Sequence, residues 1–78
     1  MSTEAERLAA LNAMIKSGEA RMIREKAGLP TSVVARTAGT HQSTIWRWER
    51  GYRAPTAGPA AFGYLNLLRR LAKAQESS

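Results

Sequence analysis

The 78-residue chain contains no cysteine. That excludes disulfides, thiolate zinc ligands and a thiol nucleophile, and it leaves the redox compartment unmarked. A single histidine, His41, is present, so an imidazole-rich metal site has nothing to build from. No stretch approaches the roughly 18 consecutive apolar residues that a membrane-spanning helix needs, and the first residues lack the apolar core of a secretory signal. The expectation is a soluble, cytoplasmic protein. Acid is scarce as well: six acidic side chains stand against twelve Lys and Arg, for a formal net charge of +6. Between residues 36 and 73 the imbalance sharpens to Arg36, Arg47, Arg50, Arg53, Arg69, Arg70 and Lys73 against Glu49 alone. A one-sided basic field recruits a polyanion and speeds its capture. Taken alone it fits solubility or an anionic membrane surface equally well.

What is present is helical pattern with clear punctuation. Chains of this length form one domain, near the lower limit at which a core suffices without disulfides or metals, and no fused ligand-sensing or catalytic module is expected. Residues 1–17 read as an N-terminal helical arm. Thr3 is its N-cap, Glu4 and Glu6 favour the positive helix end, and Leu8, Leu11 and Ile15 form an apolar stripe. That stripe either packs on the rest of the chain or supplies a dimer contact. Ser17 and Gly18 break the helix, and Ser17 can cap the next, from about Glu19 to Ala27, which is expected to bury Met22 and Ile23. Gly28, Leu29 and Pro30 end it. Residues 51 to 59 are rich in Gly, Pro, Ala and Thr, a turn-rich connector. After Pro59 at a helix start, Tyr64, Leu65, Leu68 and Leu71 make an apolar face, part of it available for a two-fold contact. Residues 74–78 read as a frayed tail, which leaves 18–73 as the core domain.

The segment TSVVARTAGTHQSTIWRWER, residues 31 to 50, carries the strongest signal: two short helices joined by a tight glycine turn. Ala35 provides a small residue where two helices would cross, and Gly39 can adopt the left-handed conformation that ends the first. Val34, Ala38, Ile45 and Trp48 turn inward, since residues three and four apart share a helix side. The second helix decides the reading by what it leaves outside. At about 100° per residue, Gln42, Trp46, Arg50, Ser43 and Arg47 fall within an arc of about 140°, opposite Ile45 and Trp48. That face holds an amide, a hydroxyl, two guanidiniums and an indole, with no carboxylate. It suits the major groove of DNA, where Gln pairs bidentately with adenine and Arg with the O6 and N7 edge of guanine. The competing reading is an ordinary solvated face, which mixes signs and rarely exposes a Trp beside two Arg.

The segment resembles the Cro and phage-repressor type helix-turn-helix proteins, the xenobiotic response element (XRE) family. The resemblance runs from about Glu19 to Ala72. It rests on Ile23-Arg24-Glu25 with Ala27-Gly28-Leu29, on Val34-Ala35-Arg36 and Gly39, on Ser43-Thr44-Ile45 followed by Arg47-Trp48-Glu49-Arg50-Gly51, and on Arg53 and Pro55. It implies an all-α, lambda-repressor-like bundle of four to five helices, here with an extra N-terminal helix, and a phage or bacterial setting. It also implies homodimers on inverted-repeat operators in double-stranded DNA, with repression by occupancy as the common use. By position, Gln42, Ser43 and Arg47 would reach base edges and Arg24 would pair with Glu49 as a structural ion bridge. Thr31 would touch a phosphate or base, or cap its helix, since Pro30 stands where relatives usually place the Ser or Thr cap. Trp46 occupies a slot that is more often polar. It is assigned to base readout through a thymine methyl, with a sugar contact or a protein interface as the other uses. His41, Thr44, Arg50 and Arg53 are assigned to phosphate; for His41 the competing reading is a solvent-exposed turn residue and for Arg53 a solvated loop charge.

Catalysis finds no foothold. His41 has no second histidine and no acid nearby in sequence, and Glu25 and Glu49 are the only core acids that could form a pair. No phosphate-cradling glycine loop accompanies them, so neither an enzyme nor a cofactor nor a metal is expected. The sequence-level reading is therefore a DNA-binding transcriptional regulator, associated with the nucleoid through DNA. Two rivals stay open. One is an antitoxin or phage excision factor that acts with a protein partner of unknown identity. The other is an interaction adaptor that keeps the fold without reading DNA, using Trp46 and the Leu8, Leu11 and Ile15 stripe.

Overall fold

In the computed structural model, which describes residues 3–77, five helices and no strand are found among the described residues. They are α1 (Glu4–Ser17), α2 (Glu19–Lys26), α3 (Thr31–Ala38), α4 (Gln42–Arg50) and α5 (Pro59–Glu76). Residues 1, 2 and 78, the extremes of the expected arm and tail, lie outside the described residues. Local chemistry sets most of the boundaries. The Thr3 N–H donates to Glu6 Oε1 at 2.9 Å while the Glu6 N–H donates to Thr3 Oγ1 at 3.1 Å, a reciprocal cap on α1. Donation from the Thr3 backbone N–H foremost, with the Thr3 hydroxyl beside it, holds the Glu6 carboxyl below its ordinary value. Gly18 ends α1 in the left-handed region, and Ser17 Oγ accepts from the Glu19 N–H at 3.2 Å at the start of α2. Pro59 opens α5 at its first position, where its missing N–H costs nothing.

The core is one cluster fed by every helix. Leu11 from α1, Ala20 and Ile23 from α2, and Val34, Ala35 and Ala38 from α3 are buried, with Ile45 and Trp48 from α4 and Ala61, Tyr64, Leu65 and Leu68 from α5. Leu8 and Ile15, partly buried, pack against this cluster, so the stripe of α1 faces its own chain and is buried fully only at Leu11. The Arg7 guanidinium also lies 4.2 Å from the Phe62 ring centroid, a cation–π contact that fastens α1 to α5. Packing is tightest between α3 and α5. A Cβ added at Gly63 would lie 3.0 Å from the Ala38 carbonyl oxygen, so a side chain there would require the two backbones to move apart by a few tenths of an ångström.

Three sequence expectations need correction. Met22 is 57% exposed: the eight-residue α2 buries a narrow face through Ala20 and Ile23, and Met22 sits to the side of it. Thr31 is not an N-cap; that position belongs to Pro30, in extended conformation, and Thr31 is the first helical residue. Proline fixes φ near the value that a cap needs and puts no side-chain acceptor on the helix end. Lastly, residues 74 to 76, expected in a frayed tail, are helical. The Gln75 side-chain amide donates to the Ile23 carbonyl at 2.9 Å, tying the last turn of α5 to α2.

Candidate nucleic-acid interface

The surface presented by α3 and α4 is built by the turn between them. Gly39 sits at φ 80°, ψ 37°. Its N–H donates to the Arg36 carbonyl at 3.2 Å, and the Thr40 N–H to the Ala35 carbonyl at 2.8 Å. This paired closure of a helix C-terminus around a left-handed residue turns the chain within three residues. His41 then takes an extended conformation at the N-cap of α4. Ile45 and Trp48 anchor α4 inward, Ile45 fully buried and the Trp48 ring tilted against Tyr64 at 6.0 Å between centroids.

The one acid of α4 is removed from the surface. Arg24 Nε donates to Glu49 Oε2 at 2.7 Å and Arg24 Nη2 to Glu49 Oε1 at 2.9 Å, a bidentate pair. Tyr64 Oη donates to the same Oε2 at 2.8 Å. The Glu49 side chain is 3% exposed and that of Arg24 12%. Charge-assisted bonding to Glu49 raises the Arg24 pKa above its ordinary value. Burial, reinforced by the Glu49 charge, drives the Tyr64 phenol far above its ordinary range. Both donors therefore keep their protons, and the carboxylate points into the fold.

The outward side of α4 is what the helical arc described. Gln42, Trp46, Arg47 and Arg50 are exposed, and Ser43 and Thr44 are half-buried. Thr31, Gln42, Ser43, Trp46 and Arg47 line one open cleft of about 360 Å³. The first residue of α3 thus borders the same space as the first half of α4. A second cleft, about 200 Å³, is lined by Thr44, Arg47, Trp48, Arg53, Ala54 and Thr56, so Arg47 stands between the two. His41 lines neither cleft, although it is exposed at the helix start. Arg50 lines neither cleft itself, but its guanidinium carbon lies 4.6 Å from the ring centroid of Trp46, which lines the first.

Sequence reasoning missed two contributors. Thr56 brings a second hydroxyl into the cleft that holds Arg53. Tyr52, treated as a connector residue, stacks on Trp46 with centroids 5.5 Å apart and planes 26° from parallel. The signal for Tyr52 was available. Gly51 closes α4 in the left-handed region, and the Tyr52 N–H donates to the Arg47 carbonyl at 3.0 Å. In this closure the residue after the glycine packs back on the helix a turn and a half earlier, which is Trp46.

Residues 17–74 match the protein family described as a helix-turn-helix domain. No curated protein and no solved structure matches the chain. No described helix is long and apolar enough to cross a membrane.

Proposed function

The chain belongs to the helix-turn-helix domain family, of the XRE-like type, and from that premise we propose that it is a sequence-specific regulator that represses transcription as a homodimer on an inverted-repeat operator. The observation that carries this reading is the carboxylate-free face of α4. Its only acid is folded inward onto Arg24 and Tyr64, while Gln42, Ser43, Trp46 and Arg47 border one cleft with Thr31. Such a face meets the donor and acceptor edges of a major groove without like-charge repulsion from the phosphates. Gln42, Ser43, Trp46 and Arg47 read base edges, and Thr31, His41, Thr44, Arg50 and Arg53 hold phosphates beside them. Arg53 shares the second cleft with Thr44, which sets a guanidinium and a hydroxyl together where a backbone strand would pass. Binding itself is the activity; no chemical step is involved.

Selection from a random duplex library at near-physiological salt tests the proposal. An enriched inverted repeat, its half-sites about one helical turn apart, is the expected result. A single half-site would replace the homodimer with a monomer or a partner-dependent binder. No enrichment, with binding only at low salt, would reduce the basic face to generic attraction and overturn the reading.

A further inference from the structure

Trp46 is 43% exposed and Tyr52 73% exposed, yet the two rings are stacked and Arg50 lies over the same indole. An exposed aromatic side chain ordinarily keeps some rotamer freedom. Here Trp46 is braced by two neighbours, one of them fixed to the helix end by the Gly51 closure. Thr31, Gln42, Ser43 and Arg47, polar or cationic and without a carboxylate, line the same cleft. An indole held by two neighbours therefore borders a cleft whose other lining residues are polar or cationic.

Duplex DNA is the occupant that such a cationic, carboxylate-free lining suits, and within a major groove the apolar group on offer at a base edge is the C5-methyl of thymine. The same methyl is present when cytosine carries one at C5. Resting on the DNA-binding reading above, we infer that Trp46, braced by Tyr52 and Arg50, is a reader of a pyrimidine C5-methyl group. Spacing fits: Trp46 follows Gln42 by one helical turn, about 6 Å along the axis, close to two base-pair steps of about 3.4 Å. The methyl-bearing base then lies within a few steps of the base that Gln42 reads. Tyr52 and Arg50 hold the ring so that little ordering remains to be done on binding.

The test uses the best duplex from the selection and replaces each thymine in turn by deoxyuridine, which removes the methyl and leaves the hydrogen-bonding edge intact. One position in each half-site is expected to lose about three- to five-fold in affinity, the effect of burying one methyl group. The Trp46→Ala protein, its helix content checked by circular dichroism, is expected to bind the thymine and deoxyuridine forms equally. At that same position, cytosine and 5-methylcytosine are then compared. A matching gain on methylation shows that the methyl is read from either base, and a gain confined to thymine assigns it to that base. Affinity indifferent to every thymine methyl, or a methyl dependence that survives Trp46→Ala, overturns the inference while sequence-selective binding upholds the proposed function. Absence of selective duplex binding overturns both.

Discussion

Arg24 on α2 and Glu49 on α4, 25 residues apart, are joined by two hydrogen bonds of 2.7 and 2.9 Å. The pair is nearly shielded from water, and Arg24 also donates through Nη1 to the Leu29 carbonyl at 2.8 Å, at the turn before α3. One guanidinium thus couples α2, the α2–α3 turn and α4. Glu49→Ala would leave that guanidinium buried without its counter-charge. It should cost about 3 to 5 kcal/mol, a large share of the stability of a small domain. Joint replacement, Arg24→Met with Glu49→Leu, should cost less, because no buried charge is left unpaired. Urea unfolding of the three proteins decides it; a single-variant loss below about 1 kcal/mol would place the pair among weak surface bridges.

Tyr64 adds a titratable element to that junction. Its phenol donates to Glu49 and its pKa is raised in the folded protein. The folded state therefore holds this proton more tightly than the unfolded chain does. The contribution is complete below the unfolded phenol pKa of about 10 and is lost as pH rises above it. Tyr64→Phe should cost about 1.5 to 3 kcal/mol near neutrality, the loss of one hydrogen bond to a charged group. Above about pH 10 the gap between the two proteins should narrow, since only the wild type loses this contribution. A gap that stays constant across the alkaline range would show that Tyr64 ionises alike in both states.

Gly63 inverts an ordinary rule. Replacing a mid-helix glycine by alanine usually stabilises by about 0.5 to 1 kcal/mol. At Gly63 the new Cβ would lie 3.0 Å from the Ala38 carbonyl oxygen and 3.1 Å from its Cα. Both are backbone atoms of α3, so relief requires moving a helix. Overpacking of this kind costs about 1 to 3 kcal/mol, and Gly63→Ala should be net destabilising. Gly58→Ala, whose Cβ would meet nothing nearer than 4.0 Å, is the control. Thermal unfolding that ranks Gly63→Ala at or above wild type would mean that the α3–α5 contact yields easily.

The sequence carried the helices because each is punctuated locally: Thr3 with Glu6, the glycines at 18, 28, 39 and 51, and Pro59 all act within a few residues of themselves. The outward face of α4 was legible for the same reason, since period and residue type alone define it. What escaped depends on distant partners. The four polar residues from Gln75 to Ser78 give no local sign of order, yet Gln75 bonds to Ile23, 52 residues away. Met22 looks like a core residue by type, but α5 offers it only the wall of an open groove lined by Ala72, Gln75 and Glu76. Tyr64 read as an apolar face residue, and only the assembled fold shows its hydroxyl on Glu49.

Arg47 and Arg53 both border the second cleft, but Arg47 also lines the cleft that holds Gln42 and Ser43. That difference in placement separates their effects. Arg47→Ala should cost about 1 to 3 kcal/mol on the preferred duplex and relax the preference at one base pair, the signature of a lost bidentate base contact. Arg53→Ala should weaken binding to all sequences alike and lower the dependence of log affinity on log salt by about one unit. Both variants lie at exposed positions, so their folds should be intact. Affinities measured over a salt series on matched and single-mismatch duplexes give both readouts from one set of titrations. Uniform loss for Arg47→Ala would move it to the phosphate contacts, and an unchanged salt slope for Arg53→Ala would leave that arginine a solvated loop charge.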